Sequence, residues 1–360
     1  MNQLPYFSLL FFQSSMSLDK ELFADIVKRL LETIVQTFDI SIIVLACVDK
    51  FWRDIITKGE VKYRIPRKTH CQKIAAGGYL SILQWVRSDD CPWDSSTCAN
   101  AALNGHLEIL QWARLNGCEW DNNTCSRAAE NGHLEILQWA VSNGCDWNWS
   151  VCAFAAQKGH LDIIKWARLN NCEWHPDICT SAAENGQLEI LKWIRDNGCP
   201  WDFLTCSGAA LNGHLEILQW AVTNGCSWNS LTCAVAAARG HLKVLQWART
   251  NGCDWDSLVC EWAATNGHLD ILKWARENNC PWTVLTCANA AMNGHLEVLK
   301  WARVNGCEWN SETCRMAALN GHFKVLKWAR SNNCPWDAHL CAFSASINGH
   351  VEIVQWIHEQ

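Results

Sequence analysis

A cysteine followed eight positions later by a histidine, as in Cys98 and His106, recurs along this chain of 360 residues. A thiol beside a histidine base could act as the nucleophile of covalent catalysis. The pair is copied in nine of ten successive segments, and Gln187 replaces the histidine in the other one. Because an active site needs one optimised constellation, this copying favours an architectural histidine at a helix start, bonded to an adjacent loop. We therefore expect no enzyme activity.

Cysteine is also the residue type that most suggests metal or disulfide chemistry, with 22 in the chain. Twenty of them alternate at spacings of 7 and 20 residues, no Cys-x-x-Cys pair occurs, and Cys98-x7-His106 is not a zinc spacing. We expect no metal and no cofactor. The run near Met1 lacks the features of a secretory signal, so we expect a reducing compartment and free thiols. These thiols would be small buried hydrophobes, with disulfides as the less favoured alternative.

The cysteines mark ten copies of a 27-residue unit, a period typical of solenoids whose units bury their apolar faces against each other. Each copy predicts a short helix A after an N-capping residue such as Asp94, and a helix B from His106 to Asn116. Gly117 supplies a left-handed C-cap. We expect an all-α helix-pair solenoid. The copies start at Cys91, Cys118, Cys145, Cys172, Cys199, Cys226, Cys253, Cys280, Cys307 and Cys334.

The string Ala101-Ala102-x-x-Gly105-His106-x-Glu108-Ile109, followed by Gly117, resembles the ankyrin repeat. Cys98 and Ala99 stand at the Leu and His positions of that family's Thr-Pro-Leu-His turn, so this hallmark is absent. Ankyrin units have about 33 residues, and the missing ones fall before Cys125, where the family carries its β-hairpin. The resemblance implies ankyrin-like helix pairs that lack the long β-hairpins.

This short form, rich in Trp and Cys, is similar to repeats of large DNA viruses of amoebae and of some algae and oomycetes. The similarity implies a viral source and the host cytoplasm, with the nucleus left open. One tryptophan stands in every loop between copies, and we expect these rings to replace the stabilisation of the lost hairpin by burial. The alternative is a row of exposed aromatic rings for binding. These tryptophans are Trp93, Trp120, Trp147, Trp174, Trp201, Trp228, Trp255, Trp282, Trp309 and Trp336.

The first 63 residues contain no copy of the unit. Leu18-Asp-Lys-Glu21-Leu22 and, further on, Leu45-x-x-Val48-Asp-Lys50-Phe51-Trp52 resemble the two ends of an F-box, although Asp19 replaces its usual Pro and Asp49 its usual Cys. The resemblance implies binding of the Skp1-type adaptor of cullin-type ubiquitin ligases. A plain helical cap on the first repeat is the alternative. The implied adaptor-binding residues are Leu18, Leu22, Ile26, Val48 and Trp52.

These patterns divide the chain into four parts. We expect a flexible N-terminus over 1–16, an F-box-like helical segment over 17–63, a degenerate capping repeat over 64–90 and ten ankyrin-like repeats over 91–360. Atypical end units are what a solenoid needs as caps.

Function is expected where the copies differ. Three columns of helix A vary at i, i+4 and i+7, starting at Ser96, Asn100 and Leu103, and a fourth includes Glu261 and Arg315. In ankyrin-type stacks this face lines a concave groove, where we expect a protein target. The alternative is that the Leu column packs on neighbouring helices. The candidate groove residues are Arg127, Phe154, Leu204, Leu211, Leu231, Val235, Leu258, Trp262, Leu285, Met292 and Met316, with Trp262 as the expected hot spot.

Charge and hydropathy limit the partners. The net charge of −6 gives no basic field for nucleic acid or anionic lipid, and no apolar run approaches the ~20 residues of a membrane span. The acidic excess lies in the repeats and favours a basic partner surface. We expect a non-enzymatic recognition scaffold, a substrate receptor of a cullin-type ubiquitin ligase. The alternative is a binding scaffold or decoy without ligase coupling.

Overall fold

Residues 68–88 and 90–360 are described by a computed structural model. The prediction of an all-α fold is confirmed, because these residues form 22 helices and no strand. The helices follow one another in pairs, as in an ankyrin-like solenoid without long β-hairpins. The predicted segments 1–16 and 17–63 lie outside the described residues.

Each repeat contributes two helices of eight to ten residues, an A helix and then a B helix. The pairs are α1 (Lys68–Ala76) and α2 (Leu80–Ser88), α3 (Ser95–Leu103) and α4 (Leu107–Leu115), α5 (Asn122–Glu130) and α6 (Leu134–Ser142), α7 (Ser150–Lys158) and α8 (Leu161–Leu169), α9 (Pro176–Glu184) and α10 (Leu188–Asp196), α11 (Phe203–Leu211) and α12 (Leu215–Thr223), α13 (Ser230–Ala238) and α14 (Leu242–Thr250), α15 (Ser257–Thr265) and α16 (Leu269–Glu277), α17 (Val284–Met292) and α18 (Leu296–Val304), α19 (Ser311–Leu319) and α20 (Phe323–Ser331), and α21 (Ala338–Ile347) and α22 (Val351–His358).

The described residues fall into two compact units. Unit 1 is the described part of Met1–Ala128 together with Trp139–Cys145, and unit 2 is Ala129–Gln138 together with Asp146–Gln360. In unit 1, α1 packs against α3, and each of these A helices packs against its own B helix. In unit 2, the A helices from α7 to α21 pack in sequential order, and each B helix packs on the A helix of its own repeat.

Local sequence fixes the start of the A helices. Asp202 precedes α11 in an extended conformation, and its Oδ1 accepts a hydrogen bond of 2.9 Å from the amide of Leu204. Such an N-cap satisfies one of the amides that a helix start leaves without a partner. Small side chains then allow close packing between A helices, since Cys206, Ala209 and Ala210 of α11 are fully buried. Capping and packing together hold the remaining positions of each A helix in register from repeat to repeat.

In several repeats a histidine joins the repeat to the one before it. His241 precedes α14, and its Nε2 lies 3.1 Å from the carbonyl oxygen of Leu211, at the end of the previous A helix. Its ring also lies against Gly213, where an added Cβ would be 2.7 Å from His241 Nδ1. This contact leaves room only for glycine at that turn. The structure thus gives the copied histidine the architectural role that its repetition predicts.

Two glycines of one repeat should respond differently to substitution by alanine. Gly213 and Gly225 have φ of 77° and 83°, so both variants carry the cost of a left-handed alanine, about 1–2 kcal/mol. Gly225 has nothing within 4 Å of an added Cβ. Gly213→Ala must also displace His241 and lose its hydrogen bond, about 1 kcal/mol more. Urea unfolding should therefore rank Gly213→Ala as the less stable variant. An equal loss of unfolding free energy in the two variants would show that the contact with His241 does not contribute to stability.

Candidate protein-binding face

The A helices present the positions of three of their four varying columns to solvent. These positions are the second, sixth and ninth residues of α11, α13, α15 and α17, and we call them the variable face of unit 2. Leu204 and Leu285 are 39% and 49% exposed, while Cys206 and Cys287, two residues further on, are fully buried. Eleven of the twelve positions are half-buried or exposed, and Gly208 is buried. The structure therefore keeps the varying side chains accessible and the repeated ones in the core.

The variable face is apolar over four consecutive A helices. It comprises Leu204, Gly208, Leu211, Leu231, Val235, Ala238, Leu258, Trp262, Thr265, Leu285, Asn289 and Met292. Leu231, Val235 and Trp262 are half-buried. Because neighbouring A helices pack against each other, the side chains of one column follow one another across the row. Accessible apolar surfaces are typical of protein-binding sites, so this face is the candidate one.

The remaining candidate groove residues also lie on A helices. Phe154 on α7 and Met316 on α19 are half-buried, in the same columns as the variable face. Arg127 on α5 belongs to unit 1 and is exposed. There it borders a polar depression of about 330 Å³ that the sequence does not reveal as a cavity. This depression is lined by Ser95, Ser96, Ala99, Asn100, Leu103, Asp121, Asn123 and Arg127.

The fourth varying column does not belong to this face. Glu261 is only 6% exposed, and its Oε1 accepts a hydrogen bond of 2.8 Å from the hydroxyl of Thr283, the N-cap of the next A helix. Gln72 makes the equivalent contact with the next N-cap, Asp94, at 3.0 Å. The expectation of four exposed columns was wrong at this one, because it faces the neighbouring repeat. The sequence signal for this contact was Thr283, which stands at an N-cap position that is usually Asp or Asn.

Charged groups lie on both sides of the variable face. Asp177, on the preceding helix α9, has a side chain that is 49% exposed and lies 3.4 Å from His175 Nδ1. Glu312, on the following helix α19, accepts two-pronged hydrogen bonds of 2.6–3.0 Å from Arg315. Those bonds hold the pKa of Glu312 below its usual value. Because Arg315 neutralises Glu312, the remaining negative charge of the three varying columns from α7 to α19 is concentrated at α9.

Cys98 and His106, the candidate catalytic pair, each contact a different partner. His106 Nε2 lies 3.1 Å from the carbonyl oxygen of Ala76 in the previous repeat. Hydrogen bonding with Cys118 and burial raise the pKa of the Cys98 thiol, which favours its protonated form. Both partners are therefore occupied in ways that do not activate a nucleophile.

Thiols pair at the spacing of 20 residues rather than 7. The Sγ atoms of Cys71 and Cys91 are 3.2 Å apart, and those of Cys152 and Cys172 are 3.4 Å apart. Each pair joins an A helix to the end of its own B helix. The 21 cysteines from Cys71 to Cys341 are all buried thiols, and burial raises the pKa of Cys341 to about 11. Across residues 68–88 and 90–360, no group of three or more His, Cys, Asp or Glu side chains could hold a metal ion.

Residues 98–202 match the family model for ankyrin repeats, in three copies. These residues carry ankyrin repeats, and the helix pairs of the other described repeats are ankyrin-like in fold. The match covers part of α3 and all of α5, α7 and α9, and it ends at the residue before α11, the first helix of the variable face. No curated protein matches the chain. Among the described residues, no helix of this ankyrin-like array combines the length and the apolarity needed to cross a membrane.

In most of the ankyrin-like repeats the loop tryptophan lies between an arginine and a B-helix tryptophan, as Trp201 illustrates. The Arg195 guanidinium lies 4.0 Å from the ring centroid of Trp201, and Arg195 also donates to the carbonyl oxygen of Cys199. On the other side Trp220 meets the Trp201 ring edge-on, with centroids 5.7 Å apart. All ten loop rings are half-buried. They connect the end of one B helix to the next repeat, as expected of a structural replacement for the hairpin.

Trp201→Ala should destabilise the chain more than Trp228→Ala. Both loop rings contact a B-helix tryptophan, at 5.7 Å and 5.6 Å between centroids. Val222 stands at the arginine position before Trp228, so that ring lacks the cation–π contact, which contributes about 0.5–2 kcal/mol. We expect urea unfolding to show that Trp201→Ala lowers the free energy of unfolding by about 3 kcal/mol. In the background of Arg195→Ala, the difference between the two tryptophan variants should disappear. If it persists, the guanidinium does not stabilise the ring.

Proposed function

We propose that the chain is a non-enzymatic recognition subunit whose variable face binds a target protein. Ankyrin repeats indicate a protein-binding scaffold. The observation that supports the face as the binding surface is the coincidence of variation and exposure: three of the four helix-A columns that differ between copies are accessible, and columns that are repeated are buried. Trp262 is the expected hot spot, because a half-buried indole offers a large apolar area that a partner can cover.

We further propose that residues 17–63 couple this recognition to a cullin-type ubiquitin ligase. The support is the F-box-like pattern, and its five implied contact residues, Leu18, Leu22, Ile26, Val48 and Trp52, lie outside the described residues. The chain would then act as a substrate receptor: the adaptor binds at one end and the target on the variable face. For a chain of viral source, the proposal places this activity in the host cytoplasm.

A binding assay with purified full-length chain and purified Skp1-type adaptor tests the coupling. We expect the wild-type chain to bind the adaptor and the Leu22→Asp and Trp52→Asp variants to lose it. Leu115→Asp, at a side chain that is 86% exposed on α4, is the control that should retain binding. A wild-type chain that does not bind the adaptor overturns the ligase coupling and leaves a recognition scaffold.

An interaction screen with the same chain tests target recognition. Partners that bind wild-type chain and are lost with Trp262→Ala, but not with Leu169→Asp, are bound by the variable face. Leu169 is a suitable control because it is 84% exposed at the end of α8, a B helix. If Leu169→Asp removes the partners and Trp262→Ala does not, the binding surface is elsewhere.

A further inference from the structure

We propose that the occupant of the variable face is an amphipathic α-helix with Lys or Arg residues at one end. This inference rests on the proposed function and adds the chemistry of the partner. It follows from three features of unit 2: the scarcity of hydrogen-bonding groups on the face, the regular step between its leucines, and the position of its charges.

The scarcity of hydrogen-bonding groups decides the backbone conformation of the partner. Ten of the twelve positions of the variable face are apolar or glycine, and the other two are Thr265 and Asn289. The hydroxyl of Thr265 already donates to the carbonyl oxygen of Glu261 at 2.8 Å. An extended segment on this surface would lose water from its amides and carbonyls without finding new partners, at a cost for each group. A helix satisfies these groups internally and can present a purely apolar stripe.

The step between leucines fits two turns of such a helix. Leu204, Leu231, Leu258 and Leu285 occupy one column on four successive A helices. Packed helices lie about 8–10 Å apart, and seven residues of a partner helix rise about 10.5 Å. Apolar residues at i, i+7, i+14 and i+21 would meet the four leucines in turn. Three residues of an extended chain cover a similar distance, so the spacing fits both conformations. The scarcity of hydrogen-bonding groups on the face is what selects the helix.

The charges give the partner its polarity. The three varying columns carry Asp177 and Glu184 on α9 and no Lys or Arg from α7 to α19. Glu312, at the other side, is paired with Arg315 at 2.6 Å. A partner helix therefore gains most from basic residues at the end that lies over α9. This matches the acidic excess of the chain, which has a net charge of −6.

Selection from a phage-displayed library of random 24-residue peptides tests the inference on the full-length chain. Peptides are counter-selected on the double variant Leu231→Asp, Trp262→Ala, so that only face-dependent binders remain. We expect enriched sequences with apolar residues in a heptad pattern and Lys or Arg in one terminal heptad. A proline placed at the centre of such a peptide should weaken its binding by about 100-fold. The variant Asp177→Asn, Glu184→Gln should weaken it several-fold, with a smaller dependence on salt.

The possible results separate the inference from the function on which it rests. Face-dependent peptides that tolerate the central proline, or that are rich in proline, bind as extended chains. That result contradicts the helical conformation of the partner and leaves the proposed function intact. Face-dependent helices with acidic ends overturn the charge assignment. If no peptide distinguishes the wild-type chain from the double variant, the variable face is not a binding site and both proposals fail.

Discussion

Combining Leu231→Asp with Trp262→Ala is expected to weaken the binding of a face-selected peptide by at least 100-fold, while the chain stays folded. Truncation of a tryptophan at the centre of an interface costs about 2 kcal/mol or more. A carboxylate in an apolar contact adds the cost of a charge that loses water without gaining a partner. Every 1.4 kcal/mol is a factor of about ten in affinity, so the two changes together exceed the stated loss.

Titration of a labelled peptide by fluorescence anisotropy measures this loss, and circular dichroism checks the fold. Both side chains are half-buried on the variable face, so the thermal midpoint of the double variant should stay within a few degrees of wild type. Leu169→Asp introduces the same charge on a B helix and should leave the affinity unchanged. A double variant that binds normally, or one that unfolds, would contradict the assignment of these residues to the accessible face.

Leu218→Ala is expected to remove about 3 kcal/mol from the free energy of unfolding. Leu218 lies on α12, a B helix that packs against its A helix α11, and has no exposed surface. Removing its side chain loses the transfer free energy and leaves a cavity, for a total of about 2–5 kcal/mol. Because each repeat of a solenoid is held by its neighbours, the loss should concentrate around repeats α11 to α14.

Hydrogen exchange measured residue by residue, together with urea unfolding, locates this loss. The amides of α11 to α14 should exchange faster in Leu218→Ala, while those of α19 and α20 change little. Leu115→Ala makes the same chemical change at a side chain that is 86% exposed, and it should alter stability by less than about 0.5 kcal/mol. Similar losses in the two leucine variants would mean that the repeated apolar columns do not form the core.

The helix pairs could be derived from sequence because their signals are local. Asp94 and Gly117 predict one helix start and one helix end, and α3 and α4 follow at Ser95–Leu103 and Leu107–Leu115. The predicted helix B, from His106 to Asn116, is one residue too long at each end. His106 is the N-cap residue, yet its ring makes no capping bond and instead contacts Ala76 of the previous repeat.

The pairing of thiols could not be derived, because it depends on contacts between helices. The sequence offers a spacing of 7 between Cys91 and Cys98 and a spacing of 20 between Cys71 and Cys91. Only the packing of each A helix against the end of its B helix selects the second pair, at 3.2 Å. The fourth varying column was misplaced for a similar reason. The spacing of residues along α15 shows which side chains lie on the same face of the helix. It does not show that Glu261 contacts Thr283 of the next repeat.

A scan of all single substitutions at residues 226–252 would separate the two roles assigned to the repeat: repeated residues hold the repeats together, and residues of the variable face bind the partner. Surface display reports folding, and binding of a face-selected peptide is read on the same cells. Substitutions at Leu231, Val235 and Ala238 should lower binding and leave display unchanged. Those at Cys226, Cys233, Ala236, Ala237 and Leu245 should lower display. If the varying positions control display and the repeated positions control binding alone, the account is contradicted.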